Sequence, residues 1–255
     1  MSAPQKFAAW LTAHEHKDPT YGWVYRYHPR SDAHSKALCK LILEDILLAC
    51  PVLREQALAD KIVYGINARH IWPNGKKKTI DLAIGTTKTI KKKSTRFAGT
   101  IYPGQIESVL ISCEVKATMT EHGKSHPRLF DERGSSHEIV HQGNRQAIAA
   151  GILVVNIAET FISPLRQKSA TLDITTHTQP HAAEGIIAIV RGLPIRDTAR
   201  GTGFDALATV VIDCDNKAPA FLWTDPPAPQ AGDRDHYDTF ISRLAAAYPI
   251  RFSTP

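Results

Sequence analysis

The sequence has few of the features that would make it a membrane, secreted or zinc-binding protein. No run approaches the ~20 consecutive apolar residues of a membrane-spanning helix. The opening MSAPQKFAAW lacks the charged-then-apolar order of an export signal. The expectation is a soluble protein that stays inside the cell and has no membrane partner. Only four of the 255 residues are cysteine, Cys39, Cys50, Cys113 and Cys214. They lie in apolar segments without paired spacing, which argues against a disulfide framework or a Cys-based zinc site. Twelve histidines are present, including the four-spaced pairs His122/His126 and His137/His141. Neither pair has cysteine partners or an HExxH pattern, so structural zinc is disfavoured. There is no internal repeat, no P-loop and no helicase signature.

What is present is an apolar content of 43%, enough for one large domain. Thirty-one Lys and Arg oppose twenty-five Asp and Glu, a formal +6 that suits a polyanionic partner. Residues 1–32 show no clear periodicity and fit either a short helix and loop or an interaction segment. From Ser31, Leu38, Leu41, Ile42, Ile46 and Ala49 recur at helical spacing up to Pro51. KIVYGINARHIW (61–72) and KKTIDLAIG (77–85), split by Pro73-Asn74-Gly75, read as a β-hairpin. SVLISCEVKA (108–117) reads as a central strand that ends in charge. HEIVHQGNRQAIAAG reads as a helix closed by Gly151, and ILVVNIA (152–158) as a buried strand after it. Strand, helix, strand in that order implies a parallel pair with a right-handed crossover. A helix over 179–194, a strand over 204–216 and a helix over 233–248 complete the pattern. The expected class is α/β, a central mixed sheet flanked by helices. It forms one domain with a core near 31–158, an N-terminal arm (1–30) and a C-terminal elaboration (159–255).

The chemistry lies where charge interrupts the apolar strands. Burying an ionised group without a partner is costly, so the Glu114 and Lys116 that end VLISCEVKA need compensation. Alternation puts Ser112, Glu114 and Lys116 on one face and Ile111, Cys113 and Val115 on the other. Asp81, between Ile80 and Leu82, is a second carboxylate in an apolar strand. If the two strands pair antiparallel, Asp81 and Glu114 converge. Two carboxylates suit Mg²⁺, which uses few protein ligands together with waters and phosphate oxygens. A nearby lysine can orient or deprotonate an attacking water. Structural salt bridges among Asp81, Glu114 and the lysines are the competing reading.

Asp81 in TIDLAIG and Glu114-Val115-Lys116 in ISCEVKA resemble the half-motifs of the PD-(D/E)xK nuclease superfamily, with Ile80 where the name carries Pro. The resemblance covers roughly 31–158 and implies a restriction-endonuclease-like core. It also implies Mg²⁺-dependent hydrolysis of double-stranded DNA to 5′-phosphate ends, with Asp81, Glu114 and Lys116 catalytic and the Val115 carbonyl as an added metal ligand. Family members often place another acid on the first helix, which points to Glu44 over Asp45. Some place a glutamine on the helix after the lysine strand, here Gln142 or Gln146, of which Gln146 is favoured. The implied function is a type II restriction endonuclease of a prokaryotic cytoplasm, acting as a homodimer in defence against foreign DNA. A repair or junction-resolving nuclease, or a DNA-binding protein without activity, remain alternatives.

DNA is expected along two segments. Residues 76–96 hold Lys76, Lys77, Lys78, Lys88, Lys91, Lys92, Lys93 and Arg96, with Asp81 the sole acid. Such a run attracts phosphate, although a solvated loop has the same composition. The loop after Lys116 mixes His122, Lys124, His126, Arg128 and Arg133 with Glu121, Asp131 and Glu132, a blend suited to reading base edges.

Overall fold

The computed structural model describes residues 1–72, 75–88, 94–123, 136–166 and 171–253. The α/β class holds: a central seven-stranded mixed sheet is flanked by helices on both faces. The chain opens with α1 (Ala3–Ala13), where Ser2 N–H donates to Gln5 Oε1 at 2.9 Å and Pro4 sits in the first turn. A small hairpin follows, β1 (His16–Lys17) and β2 (Val24–Tyr25). The N-terminal arm is therefore a helix and hairpin, and α1 packs on α2 (Ala33–Ala49). Pro51 cannot continue α2 but suits a first helical turn, so the chain breaks at Cys50 and restarts as α3 (Pro51–Leu58).

The predicted hairpin forms from β3 (Ile62–Ile71) and β4 (Lys77–Thr86), paired antiparallel from Ile62↔Thr86 to Ile71↔Lys77. Asn67, opposite Asp81, adopts a left-handed conformation with φ 51° and interrupts this ladder. The hairpin changes faces at that point. Ile66 and Leu82 belong with one core, Ala68 and Ile80 with the other.

β5 (Tyr102–Pro103) edges β3, and β6 (Ser108–Thr118) pairs antiparallel with β4. Their register slips at Ile84/Gly85, where a Cβ on Gly85 would lie 2.1 Å from the Ser108 carbonyl oxygen. Only glycine permits that approach. β6 pairs parallel with β7 (Ile148–Asn156), and β7 pairs parallel with β10 (Ala206–Asp213). β8 (Thr160–Ile162) and β9 (Ile174–Thr176) form a separate hairpin, and β11 (Phe221–Leu222) closes the far edge.

One face of the sheet carries α1, α2, α3 and the last helix, α6 (Tyr237–Phe252). The other carries the helical residues 136–143 (α4), α5 (His181–Gly192) and Trp72. α4 lies directly on Trp72, since a Cβ on Gly143 would meet the indole at 2.1 Å.

Three expectations about boundaries are corrected. The helix expected to run to Gly151 stops at residue 143, and Gly151 lies mid-strand opposite Glu114. Asn144 ends it by accepting from Gln146 N–H and donating to the Val109 carbonyl, each at 3.0 Å. AIAAGILVVN is then continuously buried, as a strand covered on both faces must be. The last helix begins at Tyr237 rather than 233 and continues through Pro249 to Phe252. The segment read as a C-terminal elaboration supplies β10, an interior strand of the sheet.

Candidate active site

The site is a fork between two strands. The β4–β6 ladder runs as far as Leu82↔Cys113 and then ends. Continued, its register would set Ile80 opposite Val115. Instead the Val115 N–H donates to Asp81 Oδ2 at 2.8 Å, so a side chain takes the place of the next backbone partner. The fork therefore holds Asp81 between the strands, beside Glu114. In a strand, the N–H and C=O of one residue point to the same edge, so the Val115 carbonyl also faces β4.

Strand alternation gives the expected facing. Ile111, Cys113 and Val115 enter the α2-side core, while Glu114 points towards α4. Glu114 is 8% exposed. One of its oxygens, Oε1, lies 3.0 Å from Lys78 Nζ, an ionic contact without hydrogen-bond alignment. The same Lys78 ammonium donates to Ser136 Oγ on α4 at 2.6 Å. Beneath them the Ser112 hydroxyl is fully buried, with no hydrogen-bond partner among the described residues.

Burial raises the Asp81 pKa, and the Glu114 charge raises it further. The Val115 N–H and the charges of Lys116 and Lys78 pull in the opposite direction. Two carboxylates, with the Glu114 charge near enough to act on Asp81 and Glu114 Oε1 without a hydrogen bond, are a donor set for a hard cation. Among the described residues no group of three or more His, Cys, Asp or Glu is arranged to hold a metal. A cation here would depend on Asp81, Glu114 and solvent or substrate oxygens, which is the sparse ligation Mg²⁺ accepts. The residues present fit that ion.

No family model, curated protein or solved structure matches the chain.

The other expected residues lie elsewhere. Glu44 is bound to Lys6 of α1 at 2.6 Å. Its neighbour Asp45 accepts from Ala3 N–H and from the Tyr237 hydroxyl. Both belong to the helix layer on the opposite face of the sheet from Glu114, so neither joins the site. Gln146 lies in the turn before β7, five residues ahead of Gly151, the partner of Glu114. That offset is roughly 16 Å of strand. Gln142 instead accepts from Lys76 Nζ at 2.7 Å.

Arg96 is committed to the C-terminus of α3, where it donates to the Ala57, Leu58 and Thr100 carbonyls, pairs with Asp60 at 2.5 Å and covers the Tyr102 ring. It caps a helix and is not available to phosphate. His122 is buried, with Nε2 at 2.9 Å from the Asn156 carbonyl and its ring edge-on to His177. That contact fixes the ends of β6 and β7 and does not read bases. Lys91, Lys92, Lys93, Lys124, Arg128 and Arg133 lie outside the described residues.

Two features were not legible in the sequence. One is Lys78, visible only as a member of a basic run. In a regular strand it would share a face with Leu82, on the α2 side. The face change at Asp81 is what carries it to Glu114.

The other is a buried charge cluster at the start of β10. Asp205 accepts from Arg196 Nε at 2.9 Å, Arg251 at 2.5 Å and the Ala149 N–H at 2.7 Å, with His141 Nε2 3.5 Å away. Burial alone would raise its pKa. The close His141 ring and the hydrogen bonds from Arg251, Arg196 and Ala149 overcome that and hold the carboxyl far below the usual range. Its role is to join β7, β10 and α6.

Proposed function

We propose that the chain is a Mg²⁺-dependent endonuclease of double-stranded DNA, of the restriction-endonuclease kind. One observation carries the reading: the β4–β6 fork sets Asp81 beside Glu114, with Lys116 next on the Glu114 face. The sheet order agrees with it, a β3–β4–β6 antiparallel meander followed by β7 parallel to β6, as the resemblance to PD-(D/E)xK nucleases implies. Asp81, Glu114 and the Val115 carbonyl would hold the ion. Bound there, Mg²⁺ supplies charge neutralisation at phosphate and acidifies a coordinated water.

As an ammonium, Lys116 would orient the attacking water and offset charge on the phosphate, the water's proton passing to solvent and a solvent proton to the leaving O3′. Water oxygen bonds to phosphorus as the P–O3′ bond breaks, which leaves a 5′-phosphate and a 3′-hydroxyl. Glu114 and Asp81 would keep the ligand oxygens in place. Arg69 and Lys77, exposed on the hairpin face opposite Lys78, would add positive charge at that edge of the sheet in place of Arg96. A homodimer fits the task, because two sites are needed to cut two strands.

The test is plasmid cleavage in Mg²⁺ by the native protein, Asp81→Ala, Glu114→Ala and Lys116→Ala, followed by sequencing of fragment ends. Each variant should lose at least ~100-fold in rate, and the native ends should map to one short sequence. Equal rates in all four proteins refute the site. Preferential cutting of branched DNA would instead favour a junction-resolving nuclease.

A further inference from the structure

Lys78 has two partners, and only one of them is compatible with a metal. Its ammonium lies 3.0 Å from Glu114 Oε1 and 2.6 Å from Ser136 Oγ, with 15% of its side chain exposed against 11% for Glu114. A carboxylate this buried needs a counter-charge, and among the described residues Lys78 is the cation in contact with it. We propose that Lys78 is the resident counter-cation of the candidate metal site, holding Glu114 until a divalent cation displaces it. The inference rests on the reading that Asp81 and Glu114 bind a metal.

The geometry supports exchange rather than shared occupancy. A divalent cation on the Glu114 and Asp81 oxygens would stand close to the Lys78 ammonium, where like charges repel strongly at low solvent exposure. Among the described residues Lys116 has no equivalent parking place, whereas Lys78 has one. With its bond to Ser136 kept, the ammonium can leave Glu114 and still have a hydrogen-bond acceptor. Three elements make this possible: the face change at Asp81 brings Lys78 round, Trp72 seats α4 through Gly143, and α4 presents Ser136. The exchange would keep the two carboxylates from repelling each other before metal arrives. Its consequence is a weaker metal site than the carboxylates alone would give.

The experiment measures Mn²⁺ binding without DNA, by the loss of free-ion paramagnetic resonance signal, in the native protein, Lys78→Gln, Ser136→Ala and Asp81→Asn. Lys78→Gln keeps a polar group near Ser136 and removes the charge. It should bind Mn²⁺ about tenfold more tightly than native. Ser136→Ala keeps every charge but removes the parking place, and should bind severalfold more weakly. Asp81→Asn should lose the site. If Lys78→Gln binds no more tightly, or Ser136→Ala no more weakly, while Asp81→Asn abolishes binding, Lys78 is not the competitor and the metal site stands. Binding that is the same in all four proteins, or absent from all, overturns both readings.

Discussion

Asp81 carries a cost that its neighbours only partly relieve. Its pKa is raised by burial and by the Glu114 charge, so the folded state favours the protonated acid more than the unfolded chain does. The stability it contributes is present below the unfolded value and lost as pH rises through the folded one. At neutral pH, without metal, ionised Asp81 is a net expense to the fold. Asp81→Asn can still accept from the Val115 N–H through its amide oxygen. The variant should therefore be more stable than native in chelator by about 1 kcal/mol, a rise of roughly 2–4 °C in Tm at this chain length. A lower Tm by calorimetry would show that the carboxylate is structural. Glu114 and Lys116 could be read from sequence because alternation in an apolar strand fixes which residues share a face. Glu44 and Gln146 could not, since a helix's layer and a strand's start depend on contacts far along the chain.

Elements were legible where their pattern was local. The β3–β4 hairpin, β6, α2 and α5 follow from periodicity and turn residues. The end of α4 was misread because Ala, Ile and Gly in QAIAAG suit a helix as readily as a doubly covered strand. The Asn144 side chain decides between them through bonds to Gln146 and Val109. At this scale Gly85 sets the register that brings Asp81 to Glu114. Gly85→Ala would drive a methyl into the Ser108 carbonyl and must shift one strand. Denaturant titration should show a loss of about 1–3 kcal/mol, and the proposed cleavage should fall while the protein is still folded. Unchanged cleavage would mean that the fork does not depend on the slip. Gly143→Ala, which collides with Trp72, should loosen α4 by a similar amount, detectable as faster amide exchange in residues 136–143.

Across the molecule, the sheet is completed by strands distant in sequence, and Asp205 is where they are joined. It bonds Arg196, Arg251 of α6 and the start of β7 from a nearly fully buried position. Replacing it with alanine strands two buried guanidinium groups and should cost about 3–5 kcal/mol. Its carboxyl is held far below the usual range. The stability it contributes is thus present above the unfolded carboxylate value and lost as pH falls. Native stability should decline steadily below about pH 4, and Asp205→Asn should show a shallower decline in unfolding titrations at pH 2.5, 4 and 7. None of this was legible beforehand, because Arg196, Asp205 and Arg251 show no common spacing and only the packing of β7, β10 and α6 unites them.

The fork between β4 and β6 has one more implication, for descent. Asp81, Glu114 and Lys116 stand beyond the end of the β4–β6 ladder, and the Asp205 cluster that ties the sheet together is on other strands. Loss of the chemical groups would leave the architecture intact. Under the proposed function, copies of this gene that drift should therefore accumulate as well-folded proteins with silent sites.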